Sequence, residues 1–326
     1  MRVLVTGNCG FIGFHFSNFL LKKNYKVYGI DSINNYYDIK LKKNRLKLLN
    51  KYKNFKFYNF DITNKNKLIN FFDKTKIDYI INLAAYAGVQ YSLKYPDLYF
   101  NTNEIGFYNI LENAKRKKIK NIIFASSSSV IGNNKSIYSK ETDKTDSPIS
   151  LYAATKKNNE IIAHFYASNY KMRIIGIRFF TAYGPFGRPD LSIYKFADSI
   201  IKNKTLTLNN YGNHYRDFTY IEDVTKCLFK LMHLKKFHKV DRKESNYFQI
   251  FNIGAGENIK ITKVVKLLEK LTNLKAKIKL GPKKKGDVIS SRSSTKKLYR
   301  NINYKPNTKI NIGLKKFIKW FKEYKN

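Results

Sequence analysis

The stretch that most restricts the fold is residues 2–13. There a short apolar run, Arg2-Val3-Leu4-Val5-Thr6, leads into Gly7-Asn8-Cys9-Gly10-Phe11-Ile12-Gly13 and then into a helical pattern. Glycines at this spacing let the backbone turn tightly between strand and helix and leave room for a ligand to approach. A helix begun in this way presents unpaired N–H groups and the positive end of its dipole, a seat for an anion such as pyrophosphate. Alone, a G-x-x-G-x-x-G loop is also compatible with a structural turn. The second apolar run, however, ends at Asp31, 18 residues beyond Gly13. A carboxylate there accepts hydrogen bonds from both ribose hydroxyls and repels a 2′-phosphate. Loop and acid together predict a dinucleotide site selective for NAD over NADP.

Runs rich in Val, Ile and Phe recur at 2–6, 25–30, 55–60, 78–83, 120–126, 172–179 and 247–253, with helical patterns between them at 12–23, 103–117, 152–169 and 222–235. Nearly continuous apolar character marks strands buried on both faces. Strands alternating with helices predict an α/β fold, a doubly wound parallel Rossmann sheet. Leu314, Phe317, Ile318 and Phe321 repeat at i, i+3, i+4, i+7 and predict an amphipathic terminal helix. The expected organisation is a dinucleotide-binding domain over 1–182, to which 217–253 returns. Residues 183–216 and 254–326 are expected to form a smaller C-terminal substrate-binding region.

With 326 residues, 43% of them hydrophobic, the chain can bury a full core, which excludes wholesale disorder. No apolar run reaches the roughly 18 residues a membrane span needs. The sequence opens directly on a strand and carries only Cys9 and Cys227, so a reducing, cytoplasmic setting is expected and no disulfide or metal site. The formal charge of +40 is the anomaly. A basic field can serve nucleic acid or an anionic membrane. Yet of 63 basic residues ten are Arg, leaving 53 Lys, spread over many presumed helix faces among other residues with AT-rich codons. Base-stacking motifs are absent. The charge is therefore read as compositional drift, with neither nucleic acid nor membrane expected as partner.

Ser150-Leu151-Tyr152-Ala153-Ala154-Thr155-Lys156 places Tyr and Lys four residues apart, on one face of a helix. A free phenol, with a pKa of about 10, is a poor base at neutral pH. A neighbouring ammonium and a bound pyridinium would stabilise the phenolate. The spacing occurs by chance on many helices, but here it follows a strand ending in Phe124-Ala125-Ser126-Ser127-Ser128-Ser129, where a serine hydroxyl can bind a substrate oxygen. His15, just beyond the glycine loop, is expected to pack.

With glycine loop, serine cluster and tyrosine–lysine pair in this order, the chain resembles extended short-chain dehydrogenases/reductases. Five longer strings are similar to UDP-glucuronate 4-epimerases: residues 31–37, 83–89, 150–159 (SLYAATKKNN), 178–190 (RFFTAYGPFGRPD) and 216–221 (RDFTYI). The resemblance runs over nearly the whole chain. It implies that Gly7, Gly10, Phe11, Ile12 and Gly13 cradle the NAD pyrophosphate, that Asp31 holds the adenosine ribose, and that Asp61 and Ile62 edge the adenine. Leu83, Ala84 and Ala85 would line the groove, with Asn103 nearby. Tyr152 would be the base and Lys156 its activator and a nicotinamide-ribose ligand. Ser127 and Ser129, with Ser128, would bind at the reacting centre and Thr181 near the sugar. Arg188 and Arg216 would clamp the UDP diphosphate.

The implied reaction is NAD-dependent C4 epimerisation of a UDP-sugar, UDP-glucuronate to UDP-galacturonate through a transient 4-keto intermediate. UDP-galactose or UDP-N-acetylhexosamine 4-epimerisation is the alternative. The dehydratases and decarboxylases of this fold usually carry an acid beside the catalytic hydroxyl, and here Ser128 and Ser129 stand instead. A reading of another class, a non-catalytic Rossmann protein binding nucleic acid, expects a broken tyrosine–lysine pair, and the pair is whole. Helices 103–117 and 152–169 carry broad apolar stripes, which by the same resemblance imply a homodimer. That Arg178, Arg188 and Arg216 all fall in the matching strings suggests retention for chemistry. Three positions depart from the pattern: Gln90 stands for Arg, Ile131 for Tyr, and Arg292-Ser293-Ser294 lacks an Ala-Asp step.

Overall fold

A computed structural model describes residues 1–132, 137–237 and 246–325. Its centre is a seven-stranded sheet of β1 (Arg2–Thr6), β2 (Lys26–Asp31), β3 (Phe55–Asn59), β4 (Tyr79–Asn82), β5 (Asn121–Ala125), β6 (Arg173–Phe179) and β7 (Phe248–Ile253). Every pairing is parallel, in the order β7-β6-β5-β4-β1-β2-β3. Each strand lies within one residue at either end of its expected span. The inner strands β1, β4 and β5 are almost wholly buried, whereas the edge strand β3 is half exposed. This is the pattern a sheet covered by helices on both faces requires. The order reverses between β1 and β4, and such a switch point opens a crevice at the strands' C-terminal ends.

Helices flank the sheet: α1 (Phe11–Lys22), α2 (Ile39–Leu49), α3 (Lys65–Lys74), α4 (Phe107–Arg116), α5 (Leu151–Tyr170) and α6 (Ile221–Met232). Three starts are set locally by polar caps: the Asp38 side chain accepts from the Lys40 N–H, Asn64 from Lys67, and Ser150 from Ala153. The expected helix 103–117 is two pieces, a π-helical turn over Phe100–Gly106 running into α4. The helix expected over 222–235 stops at Met232.

Beyond β6 the chain makes small two-stranded sheets. Thr181–Tyr183 pairs with Phe218–Tyr220, Tyr215–Arg216 with Ile259–Lys260, and Thr205–Leu208 with Lys277–Leu280. Helices α7 (Ser192–Ile201), α8 (Ile261–Thr272) and α9 (Ile310–Lys325) pack on them. The stripe Leu314, Phe317, Ile318, Phe321 on α9 is buried in the cluster that also holds Val3 and Val5 of β1. One continuous core thus joins this region to the sheet. Both cysteines are free and buried. Among the described residues no helix is long and apolar enough to cross a membrane, and no group of three or more His, Cys, Asp or Glu is placed to hold a metal.

Candidate active site

A cleft of about 680 Å³ lies at the switch point. Its floor is the glycine loop. Gly7 has φ +69°, the Gly7 N–H donates to the Ile30 carbonyl at 2.8 Å, and a Cβ on Gly7 would lie 2.8 Å from the Ala84 nitrogen. A Cβ on Gly13 would lie 2.1 Å from the Gly7 oxygen. Neither position admits another residue without moving backbone. Gly10 caps α1 without a side-chain hydrogen bond, and the first turn carries no acid. The helix end is thus open to an anion, and the cradle fits a dinucleotide pyrophosphate.

Asp31 ends β2 on the cleft wall, its carboxylate held by the N–H groups of Cys9 and Ile33, each at 2.9 Å. Burial raises its pKa, against those bonds and the charges of Lys42 and Arg45. Each oxygen keeps a free lone pair for a ribose hydroxyl. Asp61 and Ile62 line the cleft, as do Leu83, Ala84 and Ala85. The Ala84 N–H donates to Thr6 Oγ1 at 3.2 Å, and Leu83 to the Thr6 carbonyl.

Asn103 does not reach the cleft. Its amide oxygen accepts from the Tyr86 N–H, and its nitrogen donates to the Tyr86 carbonyl and to Thr155 Oγ1, so it clamps the 84–86 loop to α5 from behind. Lys42, missed in the sequence, does line the cleft; its ammonium donates to the Asn34 carbonyl and Asn34 Oδ1, both at 2.7 Å. The run of lysines around it offered no signal to single it out.

At the reacting end the serines follow β5. Ser127 caps a short 3-10 turn, Ser128–Ile131, and shares the cleft with the Tyr152 phenol. Ser128, Ser129 and Thr181 line the same space. Burial raises the Tyr152 pKa, while Ser127 and the charge of Arg188 lower it. Lys156 is buried and donates to the Ala125 carbonyl at 2.9 Å; burial pushes it down to about 8, against the pull of Glu104.

Arg188 faces the cleft with its fork already engaged. Nε and Nη2 hold the two oxygens of Asp190 at 2.9 and 2.5 Å, and Nη2 also meets the Ala87 carbonyl and the Tyr36 hydroxyl. Arg216 lies off the cleft wall, donating to the carbonyls of Tyr215 and Ile289. Arg178, expected among the chemical arginines, is instead a buried strut: its Nε and Nη2 each meet Glu160 at 2.8 Å, and Glu160 also accepts from Ser126 Oγ at 2.6 Å.

The departures have plain structural places. The Gln90 amide donates to the Lys285 carbonyl at 2.7 Å, tying the cleft rim to the 281–289 loop. Ile131 packs with Val130 and Phe180. Ser293 donates through backbone and hydroxyl to Asp217, which also accepts from Ala255 and Gly256. His15 packs between Phe14 and Phe186, meets the Pro185 carbonyl, and is held down to about 4 by burial.

Residues 4–317 match the GDP-mannose 4,6 dehydratase family. UDP-glucuronate 4-epimerase 5 of Arabidopsis thaliana is 41% identical over 98% of this chain and 75% of its own. UDP-glucuronic acid 4-epimerase of Bacillus cereus, solved with UDP-glucuronic acid and NAD, superposes with a TM-score of 0.91 at 30% identity, covering 99% of this chain and 100% of its own. A Thermotoga maritima UDP-glucose 4-epimerase solved with UDP-glucose superposes at 0.88 with 26% identity, covering both chains fully. The chain belongs to this family, as an NAD-dependent nucleotide-sugar epimerase of the extended short-chain dehydrogenase/reductase type.

Proposed function

We propose that this protein interconverts UDP-glucuronate and UDP-galacturonate by inversion at C4. The observation that carries the reading is the set of neutral hydroxyls around the reacting end: Ser127, Ser128, Ser129 and Thr181 line the cleft together with the Tyr152 phenol. The glycine cradle and Asp31 are the proposed NAD seat, with Asp61, Ile62 and Leu83–Ala85 as its walls. Asn103 fixes that wall from behind. Residues 183–216 and 254–326 are assigned to the UDP-sugar side, and the buried free thiols favour a cytoplasmic setting. NAD, when bound, accepts the C4 hydride and returns it, so no net oxidation results.

Tyr152 takes the C4 hydroxyl proton at its phenolic oxygen and later gives it back. Ser127 holds the substrate oxygen in line with it. Lys156 supplies the buried positive charge that a phenolate in so dry a place needs. Arg188 is the candidate diphosphate ligand on the cleft wall, and to serve it must exchange Asp190 for phosphate oxygens; Arg216, off that wall, is the weaker candidate.

A 4-keto uronate is a β-keto acid and loses CO₂ readily when its carboxylate bond aligns with the carbonyl. Hydroxyl donors grip the carboxylate away from that alignment without supplying a proton for elimination. The alternative, a neutral UDP-hexose or UDP-N-acetylhexosamine as substrate, is favoured by the neutral Gln90 on the rim. Incubation with a panel of UDP-sugars, read by NMR, decides between them. Interconversion of the uronates with little UDP-pentose supports the proposal, and faster interconversion of UDP-glucose and UDP-galactose overturns it.

We also propose a homodimer. Ile105 and Tyr108, leading into and on α4, and Ile161 and Phe165 on α5 are large apolar side chains left exposed in the single chain, Ile161 by 56% and Phe165 by 51%.

A further inference from the structure

We propose that Glu104 is a positioning residue for this reaction, a buried carboxylate in the layer behind Lys156 that serves as counter-ion to its ammonium. The inference rests on the epimerase reading above.

Glu104 lies in the π-helical turn Phe100–Gly106, a geometry that re-aims side chains within a helix and recurs at functional sites. It is 7% exposed, an unusual place for a carboxylate that, among the described residues, has no ion pair within 4 Å. The turn is stitched to the part of α5 that carries Lys156. Asn103 Nδ2 donates to Thr155 Oγ1 at 3.0 Å, Asn159 Nδ2 to the Asn103 carbonyl at 2.8 Å, and Asn158 Nδ2 to Glu104 Oε2. Residues on both sides of Lys156 thereby fix where the Glu104 carboxylate sits.

Lys156 needs such a partner. It is 3% exposed, and its ammonium donates to a neutral carbonyl, that of Ala125. An ammonium so buried is costly unless opposite charge stands near. The end of β5 offers it that carbonyl, and the serine hydroxyls that share its cleft are neutral. On its own helix, Tyr152 becomes anionic only transiently, and the Glu160 carboxylate one turn on is taken by Arg178 and Ser126. Arg188, from the opposite wall, acts on Tyr152. Among the described residues, Glu104 is the carboxylate that raises the Lys156 pKa against burial. Burial raises the Glu104 pKa in turn, while Asn158 and Lys156 oppose that rise.

The consequence is a working pH range. Lys156 must stay charged for Tyr152 to act as phenolate, so the alkaline limb of turnover should follow the loss of the Lys156 proton, which burial pushes down to about 8. Glu104→Gln keeps the shape and the acceptor for Asn158 and removes only the charge. Asn158→Ala keeps the carboxylate and removes the donor that favours its ionised form.

The test uses the protein as purified, with two readouts. One is the pH profile of kcat with UDP-sugar. The other is competitive acetylation of Lys156 across pH, read by mass spectrometry, which needs no turnover. Glu104→Gln should move both the alkaline limb and the labelling midpoint down by about one pH unit, with the acidic limb in place. Asn158→Ala should move them less, in the same direction. Unmoved midpoints in both variants overturn the role of Glu104. Absence of wild-type turnover on every UDP-sugar overturns the epimerase reading instead, and the labelling midpoint then still decides whether Glu104 holds the charge.

Discussion

Replacing Arg178 tests whether the arginine that looked chemical in the sequence is a strut. Arg178→Met keeps the aliphatic stem and removes the fork. In the wild type the guanidinium makes two bonds of 2.8 Å to Glu160 and one of 3.2 Å to the Glu141 carbonyl, and Arg178 and Glu160 are each less than 7% exposed as residues. Among the described residues, its loss leaves the Glu160 carboxylate with one donor, Ser126 Oγ. Charge-assisted bonds are each worth about 1.5–3 kcal/mol, and breaking one side of a buried pair costs about 3–5 kcal/mol because an uncompensated charge stays behind. Against a typical stability of about 5–15 kcal/mol that is a large fraction, a fall in melting temperature on the order of 10 °C. Thermal and urea denaturation measure it. Adding Glu160→Gln on the Arg178→Met background removes the orphaned charge and should recover part of the loss, a coupling a double-mutant cycle reads directly. A cost below about 1 kcal/mol for the single change, or no recovery in the double, refutes the reasoning.

Tyr152→Phe should lower turnover about 10²–10⁴-fold while the bound NAD content stays as in the wild type; wild-type turnover in the variant would remove Tyr152 from the role of base. Lys156, pushed down from 10.5 to about 8 by burial, binds its proton less tightly folded than unfolded. Its charge therefore weighs against the fold below pH 8, and the penalty lifts as pH rises from about 8 to 10.5. Stability of the wild type relative to Lys156→Met should rise across that window, and a flat difference would contradict the burial of its charge. Light scattering at micromolar concentration should give twice the chain mass, and Ile161→Glu with Phe165→Glu should halve it; a monomeric wild type counts against the dimer.

Much of this was legible because its causes are local. A buried parallel strand must be apolar on both faces, so seven runs gave seven strands within a residue. A glycine that faces backbone at 2.1 Å tolerates no substitute, so the loop announced itself. Asp31, singled out by its distance from the loop, lies on the cleft wall. What escaped depends on the third dimension. Asn103, expected near the groove, is consumed behind its wall, and Lys42, which the sequence did not single out, lines the cleft, because only packing decides which polar side chain faces it. Glu104 is a lone acid in a helical pattern, and no periodicity marks a π turn. The strand pairing of Thr205–Leu208 with Lys277–Leu280 joins segments some seventy residues apart, which local patterns do not encode.

The arginines give that lesson a chemical form. In a chain with 53 lysines and ten arginines, the fall of Arg178, Arg188 and Arg216 in the matching strings suggested retention for chemistry. Their contacts point to a broader cause. Arg2 holds both oxygens of Asp78; Arg45, fully buried, donates to the Cys9 and Phe186 carbonyls and the Tyr37 hydroxyl; Arg116 joins Asp73, Ile69 and Asn113. Arg178 is the strut beneath Ser126, and Arg292 donates to the Gly256 carbonyl while lying 4.1 Å from the centre of the Tyr138 ring. Each task needs a planar fork with donors at fixed angles or a flat cation on a ring, and an ammonium on a flexible stem supplies neither. Drift toward lysine runs freely on the solvated helix faces and stops where geometry, rather than charge alone, is what the position demands. Arg188 is then the informative case, since its fork is filled by Asp190 and yet faces the cleft. It is held in the shape a diphosphate would need, by a carboxylate that a diphosphate could displace.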